Sequence, residues 1–193
     1  MAARLAEEMK RVGFDEVWTD RMGSVVGRVL RSAKGATLLY NGHMDTVGIG
    51  DPAAWPRDPL GATVEGDVLY GRGAVDMKGA LAAMVYGAKA LMDAGVRLQG
   101  DFYVVGVVQE EPTEGLAMRV LIEEEGMRPD FVLLGEPTDL QLARGQRGRL
   151  EVHVKTLGRS SHASMPEQGQ NAIYEAARLI FGVELLVELF SVE

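Results

Sequence analysis

The stretch "DFYVVGVVQEEPTEG", residues 101–115, runs through eight mostly β-branched or aromatic residues and then meets two adjacent glutamates, Glu110 and Glu111. Such a run reads as a buried strand. Neighbouring side chains on a strand point to opposite faces, so two adjacent carboxylates at its end are placed for two different jobs. One can bind while the other transfers protons. The alternative is a strand that has simply reached solvent, where any charged residues would serve, and the rest of the chain must decide.

Outward from this strand, the chain opens in a helix with Leu5, Met9 and Val12 at helical spacing, ended by Gly13. A strand is expected over 25–30, and another in "ATLLYNGH" (36–43), breaking at Asn41-Gly42. The Gly- and Pro-rich segment 48–62 reads as irregular. After "DVLYGRGAVD" (67–76), residues 77–95 form a long helix with Gly95 as C-cap. The strand of 101–108 follows, then a helix in "LAMRVLIEEEG" (116–126) and a strand in "DFVLLGEP" (130–137). Strands alternating with helices imply right-handed crossovers and a largely parallel sheet covered on both faces, a three-layer α/β architecture.

In such sheets chemistry gathers beyond the carboxyl ends of the strands. His43 and Asp45 follow the strand at 37–40, Asp76 follows 68–70, Glu110 and Glu111 follow 103–108, and Glu136 follows 131–134. All four ends should open onto one edge of the sheet. Each residue alone has a plain structural reading: His43 as a loop histidine, Asp76 as a helix N-cap, Glu136 as a turn acid before Pro137. Four strand ends that each deliver His, Asp or Glu are harder to explain that way.

Bulk composition narrows the chemistry. The 193 residues suffice for one domain or one domain plus part of another, and 47% hydrophobic with 25% charged content is that of a soluble globular chain. A net charge of -8 argues against a general nucleic-acid binder. With no cysteine, disulfides, thiol catalysis and Cys-type zinc sites are excluded, so any metal must use His, Asp and Glu. No apolar run approaches a membrane span, and "MAARLAEEMKRVGF" reads as a mixed-charge amphipathic helix rather than a signal peptide, so a cytoplasmic location is expected. Hard oxygen ligands with an imidazole suit zinc, with cobalt or manganese as alternatives. Two such ions can share one carboxylate. If residues 43–45 are extended, Asp45 can orient the imidazole or the nearby base.

In this order, "GHMDTV", "GRGAVDMKGALAAM", "QEEPTEG", "GEPT" and "GRSSHAS" resemble the M20 metallopeptidase family, in particular its acetylornithine deacetylase and succinyl-diaminopimelate desuccinylase group. The resemblance runs over almost the whole chain, and "ARGQRGRLEVHVKTLGRSSHASMPEQGQNAI" looks closest to a deacetylase-like branch. It implies a zinc-peptidase-type catalytic domain over 1–143 and the start of an α+β lid and dimerisation domain over 144–193. His43 and Glu136 would hold one zinc, Asp76 would bridge, and Glu111 would help hold the second. Glu110 would be the general base. Glu114 has no such assignment and reads as a solvated turn residue.

Residues 150–157 alternate Leu150, Val152, Val154 and Thr156 against Glu151, His153, Lys155 and Leu157, which predicts a half-exposed strand, followed by a loop and a strongly apolar helix within 166–190. The resemblance places His162 as a lid histidine that reaches the partner subunit of a homodimer and stabilises an oxyanion. His153 reads as structural. Asn171 and Arg147 are weaker candidates for a substrate carboxylate, against helix entry and surface charge.

Two functions follow. The first is a metal-dependent hydrolase, di-zinc by resemblance, that cleaves an amide bond of an N-acyl amino acid or small peptide. The second is an inactive fragment or a binding or assembly protein that keeps the fold. The second has a basis in the sequence, because family members supply a further C-terminal histidine to the second zinc, and the three histidines here, His43, His153 and His162, include none at that position. The chain is therefore expected to be truncated, with an incomplete lid and exposed apolar surface in its last helix.

Overall fold

The computed structural model describes residues 1–29, 35–96 and 98–190, which divide into two packed units, Met1–Ala143 and Arg144–Glu193. The first unit opens with α1 (Ala2–Val12), whose Leu5, Met9 and Val12 are buried and whose C-cap is Gly13. Next come β1 (Glu16–Thr19) and β2 (Val25–Val29), joined by a tight turn that Asp20 closes by accepting the N–H groups of Met22 and Ser24, both at 2.8 Å. The expected strand end at Leu30 lies outside the described residues.

The main sheet has the order β1-β2-β6-β3-β7, with β3 spanning Leu38–His43, β6 Phe102–Val107 and β7 Phe131–Leu134. Strands β6, β3 and β7 are mutually parallel, while β1, β2 and β6 pair antiparallel. The fold is α/β with a mixed sheet: a parallel core carries an antiparallel arm. The arm follows from the turn at Asp20, since a parallel partner needs a crossover of about a dozen residues or more.

Side chains alternate between two faces as the strand period requires. Val25, Val29, Phe102 and Val104 pack with α1 and with Leu81, Met84, Val85 and Ala88 of α2 (Gly79–Asp93). Val26, Leu39, Val105 and Val107 pack with Ala117 and Leu121 of α4 (Leu116–Glu123). Helices on both faces give three layers. The break expected at Asn41-Gly42 does not occur, because β3 continues through both residues to His43. Gly42 serves close packing instead: a Cβ there would lie 2.7 Å from Met77 Cε and 3.0 Å from Leu81 Cδ2.

The strand expected near 68–70 does form, as β5 (Val68–Tyr70), but it pairs antiparallel with β4 (Thr63–Glu65) in a separate two-stranded sheet. Segment 48–62 is irregular apart from short turns at Pro52–Ala54 and at 58–61. Among the described residues, no helix is long and apolar enough to cross a membrane.

The second unit contains α5 (Ala172–Phe190), a turn at Pro166–Gln168 and an isolated antiparallel bridge between Arg159 and Gln170. The half-exposed strand expected over 150–157 is not formed, and Leu150, Val152 and Val154 are all exposed. Alternation specifies which face would be apolar, but a strand also needs a neighbour for its backbone groups. None of the described residues supplies one.

Candidate metal centre

The carboxyl ends of β3, β6 and β7 open on one edge of the sheet, where such folds place their chemistry. His43 is the last residue of β3 and is 1% exposed. Glu136 follows β7 by two residues, and Glu110 and Glu111 follow β6 after Val108 and Gln109.

Two expectations about this edge are corrected. Asp76 does not come from a fourth strand of the main sheet, because β5 belongs to the separate hairpin. It arrives on an irregular turn, Ala74–Lys78, in which Asp76 (φ -114°, ψ 95°) and Met77 (φ -137°, ψ 36°) leave helical geometry. Glu110 and Glu111 do not sit on the strand either. They open the short helical turn α3 (Glu110–Thr113), entered through Gln109 at φ 57°. Their side chains therefore diverge by helical rotation of about 100° per residue and not by strand alternation.

One ligand atom each from His43, Asp76 and Glu111 falls within 4.8 Å of the others. His43 Nε2 stands 2.7 Å from Asp76 Oδ1, while its Nδ1 lies 2.9 Å from the backbone carbonyl of Asp45. A carbonyl can only accept, so Nδ1 donates and the ring is fixed with Nε2 toward Asp76. The expected orienting role of Asp45 toward the imidazole is thus performed by its main chain. Its carboxylate holds the glutamate turn: Oδ1 accepts the N–H of Glu110 at 3.3 Å and Oδ2 that of Glu111 at 3.2 Å. Glu111 in turn accepts the N–H of Val47 at 3.0 Å.

The electrostatics match a site that wants a cation. Burial raises the Glu110 pKa, and Glu136, Glu111 and Glu114 add to the rise against the opposing pull of His43. Burial likewise raises that of Glu136, with Asp76 and Glu111 acting in the same sense and His43 against. For His43, burial lowers the pKa, but the Asp76 carboxylate, the Asp45 carbonyl and the charge of Glu136 outweigh it and leave the imidazole above its ordinary value. Glu136 thus acts on His43 through its field while standing outside the tight group of His43, Asp76 and Glu111. A proton on His43 relieves the same repulsion that a divalent cation would relieve more fully. Nitrogen and oxygen donors without sulfur suit such an ion.

His162 lies in the second unit. Its Nδ1 accepts the N–H of Ser164 at 3.2 Å and is 2.7 Å from the Ser164 hydroxyl, which leaves the proton of a neutral ring on Nε2. His153 pairs with Glu151 at 2.8 Å on the surface, Asn171 accepts the N–H of Ile173 at the entry of α5, and Arg147 is exposed. Spacing arguments passed over Met77, although it directly follows Asp76 in "GRGAVDMKG".

Residues 39–191 match the model of the peptidase family M20/M25/M40. YgeY, an uncharacterised protein of Escherichia coli strain K12, is 41% identical over 177 residues, covering 92% of this chain and 43% of its own length. An acetylornithine deacetylase of Salmonella paratyphi B is 40% identical over 137 residues, covering 70% of this chain and 34% of the relative. The chain therefore spans less than half the length of either. Among solved structures, an M20 family metallo-carboxypeptidase from Sulfolobus solfataricus aligns with a TM-score of 0.61 and 25% identity over 69% of this chain and 31% of that one. A tripeptidase from Staphylococcus aureus aligns with a TM-score of 0.60 at 20% identity, over 92% and 49% of the two chains, and shows the same fold.

Proposed function

The chain belongs to the peptidase family M20/M25/M40, and from that premise we propose that its acidic centre serves metal-dependent hydrolysis of an amide bond in an N-acyl amino acid or small peptide. The observation that carries this reading is the convergence of His43, Asp76 and Glu111 within 4.8 Å. Relatives named as a deacetylase and a metallo-carboxypeptidase support an amide or peptide substrate.

In this reading residues 1–143 form the catalytic domain and 144–193 the start of a lid through which two copies pair, in a cytoplasmic enzyme. His43 and Glu136 would hold one zinc, Asp76 would bridge to a second, and Glu111 would contribute to that second ion, with cobalt or manganese as substitutes. When bound, the metal supplies Lewis-acid polarisation of the scissile carbonyl and a water acidified toward neutral pH.

The chain's own residues do the rest. Glu110, whose half-buried carboxyl has a raised pKa, accepts the proton of the attacking water and returns it to the leaving amine. The Asp45 carboxylate holds the N–H groups of Glu110 and Glu111, so base and ligand keep one relative placement. His162, with its proton on Nε2, is the donor assigned to the developing oxyanion in a partner copy.

Metal content of the purified chain beside Asp76→Ala tests the reading. About one or two equivalents of zinc in the wild type, lost in the variant, supports it. No metal in either sinks the enzyme reading for this chain and favours a binding or assembly role.

A further inference from the structure

Asp76 is the least enclosed of the three residues that converge at the metal centre. His43 is buried and Glu111 half-buried, whereas the Asp76 side chain is 53% exposed. It also stands where the turn Ala74–Lys78 leaves helical geometry, so neither a strand ladder nor a helix fixes its backbone. The next residue is its opposite: Met77 is fully buried, at 0% exposure.

Met77 lies against two glycines at once. A Cβ built on Gly42 would stand 2.7 Å from Met77 Cε, and one built on Gly135 would stand 2.9 Å from the same atom. Non-bonded carbons settle at about 3.5–4.0 Å, so the methyl occupies room that only a residue without a Cβ leaves. The glycines are neighbours across the sheet. Strands β3 and β7 pair in parallel with Asn41 opposite Leu134, and Gly135 donates its N–H to the Asn41 carbonyl at 3.0 Å, which carries the pairing one residue past β7. Leu81 and Ala80 of α2 close the seat, with Leu81 Cδ2 3.0 Å from the Gly42 position and Ala80 Cβ 3.1 Å from the Gly135 position.

The sequence gives this contact its meaning. Gly42 directly precedes His43, Gly135 directly precedes Glu136, and Met77 directly follows Asp76. One methyl group thus joins the neighbours of three candidate ligands that come from three separate segments. Met9 offers a comparison inside the same core cluster: it is equally buried, and its Sδ would stand 2.7 Å from a Cβ on Gly27. Gly27, however, adjoins no candidate ligand.

We propose that Met77 is a positioning residue for the metal centre: its methyl, seated on Gly42 and Gly135, sets the placement of Asp76 relative to His43 and Glu136. The proposal rests on the metal-centre reading above and deepens it. The seat requires reach as well as bulk. Methionine is unbranched and ends one atom farther along the chain than leucine, which has similar volume but stops short of the glycines.

The test compares the wild type with Met77→Ala, Met77→Leu and Met9→Ala by two measurements on the full chain. Nitrogen NMR shifts of the His43 ring in the metal-free protein report its 2.7 Å contact with Asp76, and assignment has only three histidines to separate. Competition with a chelator gives zinc affinity on the same samples. Met77→Ala should move the His43 ring shifts and weaken zinc binding by about 10–100-fold. Met9→Ala, which loses an equally buried side chain and is destabilised in the same way, should leave both as in the wild type. Met77→Leu should unfold in urea close to the wild type, yet bind zinc about tenfold more weakly, and it decides the question if Met77→Ala does not fold. Wild-type ring shifts and zinc affinity in either Met77 variant overturn the role, as do equal changes in Met77→Ala and Met9→Ala, the sign of general loosening of the core. A wild type that holds no zinc overturns the metal centre alone, and the His43 ring shifts then decide for or against Met77, since the contact with Asp76 forms without an ion.

Discussion

The carboxylate of Asp45 accepts the backbone N–H of Glu111 at 3.2 Å. With its second oxygen on the N–H of Glu110, one acid at the end of β3 fixes the start of the turn that follows β6. Removing it leaves two N–H groups without their acceptor and frees both glutamates to drift. Asp45→Ala should weaken zinc binding by about 10–100-fold, the usual cost of losing a residue that orients a ligand. Asp45→Asn, which keeps one acceptor oxygen, should lose less. Competition with a colorimetric chelator measures both, and an affinity for Asp45→Ala equal to the wild type would exclude the positioning role.

Leu121 is fully buried between α4 and the strand face formed by Leu39, Val105 and Val107. That face lies directly below the strand ends that deliver His43 and the glutamates. Leu121→Ala should destabilise the fold by about 2–5 kcal/mol through lost burial and the cavity left behind. Urea unfolding followed by circular dichroism gives the number, and a change under about 1 kcal/mol would mean that α4 is not packed as described.

The sequence reads most clearly where one segment decides its own structure. Leu5, Met9, Val12 and Gly13 form a complete helix signal with its stop, and α1 follows it. Strand β1, only four residues from Glu16 to Thr19, is too short to show a period and is recognisable only by its partner β2. Residues 150–157 show the converse, since a clear alternation does not supply a partner strand. At the site, the acids after β3, β6 and β7 were legible because parallel strands share an edge. The hairpin route of Asp76, the bonds from Asp45 to Glu110 and Glu111, and the seat of Met77 on Gly42 and Gly135 were not, because each depends on residues brought together from distant positions in the chain.

Glu8 of α1 bonds both Arg11 and the hydroxyl of Tyr86 on α2, and Arg11 also donates to Tyr86 at 2.8 Å. The hydrogen bonds from Arg11 and Tyr86 hold the Glu8 pKa down to about 2, from 4.5 in the absence of partners. A carboxylate with a depressed folded pKa contributes stability that is fully present above the unfolded value. That contribution fades as pH falls from about 4.5 through about 2. Thermal melts of the wild type and Glu8→Gln between pH 2 and 6 should therefore differ most at the upper end and converge toward pH 2. A constant offset across this range would show that Glu8 acts through packing and not through its charge.

Metal binding should appear as folding stability, because His43, Asp76 and Glu111 come from three separate segments of the chain and converge only when it is folded. An ion held by the native state and not by the unfolded chain stabilises it by RT ln(1 + [L]/Kd), about 4 kcal/mol at a thousandfold excess over Kd. The centre magnifies the effect, since burial and mutual repulsion raise the pKa values of Glu110 and Glu136 when no cation is present. Chelation with EDTA should lower the melting temperature by several degrees, and restored zinc should return it. Glu111→Gln removes one charged ligand and the repulsion it causes, so its EDTA-treated form should melt no lower than the EDTA-treated wild type, while its gain on adding zinc should shrink. A wild type whose melting temperature ignores both EDTA and zinc would show that the three side chains converge without holding an ion.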